Sequence, residues 1–228
     1  LTSGIITGTT TKGLTMQRAY SPADTLIDHL DRVIRTLAGH AKTTGRSDPA
    51  DAADDTELND DEAKLSAQLM RVNHAGEVAA QALYQGQSLT ARNKEVQEQL
   101  KQAAEEENDH LAWCKKRVNQ LGQQTSILDP LWYIGSLAIG ATAGLAGDKW
   151  SLGFLAETER QVVRHIDSHL DQLPDADHKT RAILEQMHKD ENQHATTAVE
   201  QGAAELPEPI KQGMQLVSKI MTKASFRI

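Results

Sequence analysis

Apolar residues three and four apart recur along nearly the whole chain from residue 60 to residue 204, and that period fits α-helix rather than strand. It predicts four long helices, over residues 60–90, 93–121, 151–173 and 177–204. Gly122 suits the left-handed turn that closes the second, Pro174 stops the third, and the LPEP segment at 206–209 stops the fourth. The composition agrees, since Ala, Leu, Gln, Glu and Lys dominate and aromatic residues are only 4%. A chain of 228 residues is long enough for one domain with a real core. Its net charge of −8 leaves no basic footprint, so nucleic acid is not an expected partner. The single cysteine, Cys114, excludes an internal disulfide framework; it falls on an apolar stripe and is expected to fill core.

The flanks read differently. Ser21-Pro22 can open a short amphipathic helix carrying Leu26, Leu30, Val33, Ile34 and Leu37, ending near Gly39. Residues 1–19 are expected to be a tail, either disordered or foreign to the natural chain, with Met16 a candidate start; they carry no signal or transit pattern. Residues 41–57, polar and acidic, are expected to be an exposed linker within a domain spanning 20–228. A last helix over 209–224 carries Ile210, Met214, Val217 and Met221 on one side, widened by Leu216 and Ile220, with Lys211, Lys219, Lys223 and Arg227 adding positive charge. Between the second and third long helices, residues 131–147 (LWYIGSLAIGATAGLAG) hold no charge. That stretch is at the lower limit for a membrane span. Two readings stand for it, a buried core helix or a segment facing membrane or lipid substrate, and the basic amphipathic last helix favours the second.

The chemistry lies in the stripes. On the second long helix the inner face runs Val96, Leu100, Ala103, Glu107, Leu111, Cys114, Val118, with His110 beside Glu107. On the fourth it runs Leu184, Met187, Glu191, His194, Ala198. On the third, Glu159 interrupts Leu152, Leu155, Val162, Ile166 and Leu170; on the first, Glu77 lies along the edge of the Leu65, Leu69, Val72, Gly76, Leu83 face. Burying a lone carboxylate costs several kcal/mol, and four facing one core repel one another. No matching Lys or Arg occupies these stripes, so two divalent metal ions are the expected counter-charge. One Glu from each of two helices plus Glu-x-x-His from each of two others is the ligand set of ferritin-like di-iron bundles. Oxygen-rich ligands with one imidazole per metal suit iron or manganese better than zinc. His74, His169, His178 and His188 are expected at the surface or supporting ligands. His165, six residues past Glu159, is off the ligand row and either hydrogen-bonds a ligand or is structural.

RVNHAGEVAAQALYQGQ, EENDHLAW, DPLWYIGSLAIGATAGLAGDK, ETERQVVRHIDSHL and DENQHA, in that order, resemble the demethoxyubiquinone hydroxylase family over about residues 20–228. The likeness is to the bacterial form. It implies an all-α, ferritin-like four-helix bundle with added N- and C-terminal helices and an apolar membrane-facing segment. It also implies two iron ions, cycling between Fe2+ and Fe3+, on Glu77, Glu107, His110, Glu159, Glu191 and His194. O2 is the implied co-substrate and an external reductant is needed, with NADH a candidate although the sequence has no dinucleotide-binding glycine loop. His165 takes the place of a family histidine linked to redox function. The implied reaction is ring hydroxylation of a demethoxyubiquinol whose polyprenyl tail lies in the membrane. Peripheral attachment to the cytoplasmic side of the cell membrane and membership of a ubiquinone-biosynthesis complex are further expectations. A ferroxidase without organic substrate, a membrane scaffold with protonated acids, and an oxygenase of another lipid are the rival readings.

Overall fold

A computed structural model describes residues 27, 31, 33–36 and 42–228. Among them are six α-helices, a 3-10 turn at Pro49–Ala52 and no strand. The helices are α1 (Asp60–Thr90), α2 (Lys94–Gln120), α3 (Asp129–Leu145), α4 (Asp148–Gln172), α5 (His178–Glu200) and α6 (Glu208–Ser225). The expected tail at 1–19 lies outside the described residues, as does most of the expected first short helix, of which residues 27, 31 and 33–36 are helical.

Local chemistry sets the helix ends. Asn59 accepts from the Glu62 amide while the Glu62 carboxylate accepts from the Asn59 amide, a reciprocal cap at the start of α1. Gly122 takes a φ of 73° after α2, and the Gln123 amide then donates to the Val118 carbonyl, a helix-closing turn. Asp177 caps α5 through the Thr180 amide and also holds the Arg117 guanidinium of α2 at 2.7 Å.

α1, α2, α5 and α4 pack in a ring, each touching the next. Short links join α1 to α2 and α4 to α5; α3 lies in the long crossover between the two hairpins. One long crossover is the connectivity of ferritin-like bundles. Two apolar clusters divide the interior. One gathers Leu69, Met70, Trp113, Cys114, Ile166, Ile183 and Met187; the other gathers Leu83, Tyr84, Leu100, Leu152, Leu155 and Ala198. On each of the four helices the Glu singled out above falls between its contributions to the two clusters. Each fully buried Leu or Ile contributes roughly 1.5–3 kcal/mol, so one polar layer is held between two apolar ones.

Residues 131–147 are mostly helix α3, which lies along α1 and runs parallel to it. The approach is backbone to backbone: a Cβ on Gly86 would sit 2.2 Å from the Leu137 carbonyl oxygen, and one on Gly140 would sit 2.1 Å from that of Leu83. Tyr133, Gly140 and Gly144 face inward, whereas Leu131, Ile134 and Leu145 are exposed. Among the described residues no helix is long and apolar enough to cross a membrane. The segment at 42–57 is largely exposed, yet it is docked on the bundle. Ala50 is buried in the first cluster, Lys116 meets Asp48 and Asp51, and Lys179 meets Asp55.

Candidate metal centre

All six stripe residues converge. Glu77, Glu107, His110 and Glu191 each offer a ligand atom, and those atoms lie within 4.8 Å of one another; Glu107, Glu159, Glu191 and His194 form a second such group. Glu107 and Glu191 belong to both groups, Glu77 goes with His110, and Glu159 goes with His194. The geometry is that of two adjacent cation positions with two shared carboxylates. His110 Nδ1 lies 2.9 Å from Glu107 Oε2, 3.0 Å from Glu191 Oε1 and 3.4 Å from Glu77 Oε2. His194 Nδ1 lies 3.1 Å from Glu191 Oε2 and 3.4 Å from Glu107 Oε1.

The electrostatics match a site made for positive charge. Burial, then the charge of Glu107, push the Glu77 carboxyl well above its ordinary range; burial, then Glu191, do the same to Glu159. Burial also opposes charge on Glu107, but His110 and His194 outweigh it and pull that carboxyl well down. The reciprocal effect raises His110 and His194, although burial opposes it. Both Glu159 oxygens and one oxygen each of Glu107 and Glu191 are buried without a hydrogen-bond donor. A buried acceptor left without a donor costs about 1–3 kcal/mol, more when charged. Cations shared among these oxygens would satisfy them, and the donor set, mostly carboxylate with one imidazole per position, fits iron or manganese.

The far side of each imidazole reveals a crossed arrangement that the stripes alone do not show. His110 Nε2 lies 2.9 Å from Asp190 on the opposite helix, and His194 Nε2 lies 2.8 Å from Glu106. Each acid immediately precedes the Glu of the other pair, in EENDH and DENQH. A carboxylate on Nε2 holds the proton there and leaves Nδ1 to bind metal. The acid before each Glu was the available sequence signal.

His165 is outside the cluster. It shares with Glu77 the wall of an apolar cavity of about 350 Å³ between α1, α3, α4 and α6, also lined by Val72, Leu83, Phe154 and Met214. Its Nε2 is buried without a hydrogen-bond partner, and burial lowers its pKa. Its ring packs edge-on at 4.0 Å from that of His169. His169 is buried rather than at the surface, its pKa lowered to about 3 by burial and by His165. Asn73 Nδ2 donates to the Leu69 carbonyl and lies 2.9 Å from His169 Nδ1, so that nitrogen accepts and the His169 proton is on Nε2. His74 is likewise buried, paired with Asp129 at 3.2 Å. Cys114 is core, against Met187.

The profile of the family described as ubiquinone biosynthesis protein COQ7 matches residues 64–225. A protein of Nitrosospira multiformis is 58% identical over 203 residues, covering 89% of this chain and 97% of its own length. One of Stutzerimonas stutzeri is 55% identical over 212 residues, 93% of this chain and 99% of its own. One of Nitrosococcus oceani is 54% identical over 211 residues, with 92% and 99% covered. All three bear the name 3-demethoxyubiquinol 3-hydroxylase.

Proposed function

The chain belongs to the COQ7 family of ubiquinone biosynthesis proteins, and we propose that it hydroxylates the ring of a 3-demethoxyubiquinol with O2 at a di-iron centre. The observation that carries this reading is the place of the ligand cluster: Glu77 belongs both to the cation site and to the wall of the apolar cavity. An organic substrate in that cavity lies beside the metals, whereas a ferroxidase has no use for it. Glu77 and His110 would hold one iron and Glu159 and His194 the other, with Glu107 and Glu191 common to both ligand groups.

Bound irons would supply the activation of O2: one oxygen atom enters the ring C–H bond as hydroxyl, and the other leaves as water with two electrons from an external reductant such as NADH and two protons. The chain supplies the rest. Val72, Leu83, Phe154 and Met214 enclose a ring and exclude water. His165 Nε2, uncharged at neutral pH and lacking a partner, meets a quinol hydroxyl. A second apolar groove, between α3, α4 and α6, shares Ile139, Phe154 and Ile210 with the cavity and gives a polyprenyl tail a way out. Leu131, Ile134 and Leu145 of α3 and Leu216, Val217 and Ile220 of α6 are exposed. These faces rest on the bilayer in this reading, with Lys219 and Lys223 at the headgroups, so that the substrate never crosses water. Docking within a complex of biosynthetic enzymes is part of the same proposal.

Deleting the gene tests the reading in cells. Accumulation of a demethoxyubiquinone, reversed by the wild-type gene but not by a Glu191→Ala copy, is the expected outcome; a normal quinone pool in the deletion strain contradicts it.

A further inference from the structure

The two histidine half-sites look alike in sequence but are supported differently. Residues 42–48 form a strap without regular structure, turned at Gly45 (φ 90°), in which Lys42, Thr44 and Arg46 each contact α2 or α5. The Lys42 carbonyl accepts from Asn108 Nδ2 at 3.0 Å. Thr44 donates from its amide at 2.8 Å and from its hydroxyl at 2.5 Å to the two oxygens of Asp109, which is fully buried. Arg46 places Nη2 2.5 Å from Asp190 Oδ2 and Nε 3.4 Å from Asp109 Oδ2, with its guanidinium 4.8 Å over the centre of the Trp113 ring. Asp190 Oδ2 is the same atom that faces His110 Nε2. Arg46, Asp190 and His110 therefore form one chain of charge-assisted contacts ending at the buried half-site.

His194 has no such clamp. Among the described residues its outer carboxylate, Glu106, has Gln102 as its one further hydrogen-bond partner, at 3.2 Å, and Arg46 acts on it through charge alone, without a hydrogen bond. The side chains of His194 and Glu106 are 11% and 29% exposed, against 0% and 15% for His110 and Asp190. Both line a polar cleft of about 350 Å³ with Glu98, Gln193, Thr197 and Gln201. That cleft gives water and hydrated ions access to His194, and the apolar cavity described above is lined by a different set of residues.

We propose that the two metal positions are kinetically unequal: Arg46, through Asp190, locks the metal at Glu77 and His110, while the metal at Glu159 and His194 loads and leaves through the polar cleft. This rests on the two-iron reading of the site. Arg46 is a positioning residue in this account, acting on the metal only through the orientation and charge of Asp190. Removing the outer partner of a metal-bound histidine typically costs ten- to a hundredfold in affinity, which sets the size of the effect to look for.

The test is the loss of iron from anaerobic, Fe2+-loaded full-length protein to an excess of a ferrous chelator, after the iron content has been counted. The wild type should release two irons in two phases of equal amplitude. Arg46→Gln should speed the slow phase roughly tenfold and leave the fast phase unchanged. Thr44→Val, which removes the hydroxyl bond to Asp109 but no charged side chain, should speed the slow phase less. Glu106→Gln should speed only the fast phase. Two irons leaving the wild type in one phase would overturn the inequality while leaving the two-iron reading intact. A slow phase indifferent to both Arg46→Gln and Thr44→Val would overturn the role of the strap. Protein that binds no iron would overturn both readings.

Discussion

Glu107 and Glu191 belong to both of the Glu and His groups that could hold a cation, whereas Glu77 and Glu159 each belong to one. Substitutions should separate them by iron count. Glu107→Ala or Glu191→Ala should abolish hydroxylation and strip both irons; Glu159→Ala should abolish it while leaving about one iron, with helical content by circular dichroism nearly intact in all. Equal iron loss in the three variants would contradict the sharing. These four Glu, with His110 and His194, stood out in the sequence, because a Glu on an apolar stripe betrays itself by its neighbours. For Asp190 and Glu106 the sequence shows only an acid before each Glu, and for Arg46 it shows nothing, because their partners lie on other elements. His110 and Asp190 are 80 positions apart, and only the register of α2 against α5 brings them together.

Helix ends were readable where Gly122 and Pro174 mark them, whereas the caps made by Asn59 and Asp177 show only in the structure, and the fourth long helix ends at Glu200 rather than 204. The seating of α3 was less readable. Its partner and parallel direction come from the Gly86, Gly140 and Gly144 contacts. Gly140→Ala forces a methyl against the Leu83 carbonyl and should destabilise the protein by about 1–3 kcal/mol in denaturant unfolding. Gly135→Ala, where a Cβ meets nothing, should not. Arg117 and Asp177 tie α2 to the start of α5. Burial opposes ionisation of Asp177, but Ser66, Thr180 and Arg117 outweigh it and hold its folded pKa below the ordinary 3.8. Its stabilisation is therefore present above about pH 4 and is lost as pH falls through the folded value. Asp177→Ala should cost roughly 3–5 kcal/mol at pH 7, and the gap from wild type should narrow on acidification below pH 4. A gap that stays constant to pH 2 would contradict this account of the pair.

At the scale of the molecule, the all-helical class followed from periodicity, but the ring of four helices and the crossover carrying α3 required the three-dimensional structure. The linker shows the same limit: most of its described positions are exposed, yet nothing in its composition shows that Thr44, Arg46 and Ala50 dock on the bundle. The exposed apolar faces of α3 and α6 carry the membrane proposal. Ile134→Glu combined with Ile220→Glu should abolish co-flotation with anionic vesicles while leaving iron content unchanged; undiminished flotation would remove those faces from membrane attachment. In the proposed reaction the buried Glu and His cluster directs O2 onto a ring in the adjoining cavity. The most direct test is mass spectrometry of the product formed by iron-loaded protein from a short-chain demethoxyubiquinol and a reductant under oxygen-18 gas. The account predicts a hydroxylated ring carrying one oxygen-18 atom; an unchanged ring, or a new hydroxyl whose oxygen comes from water, would contradict it.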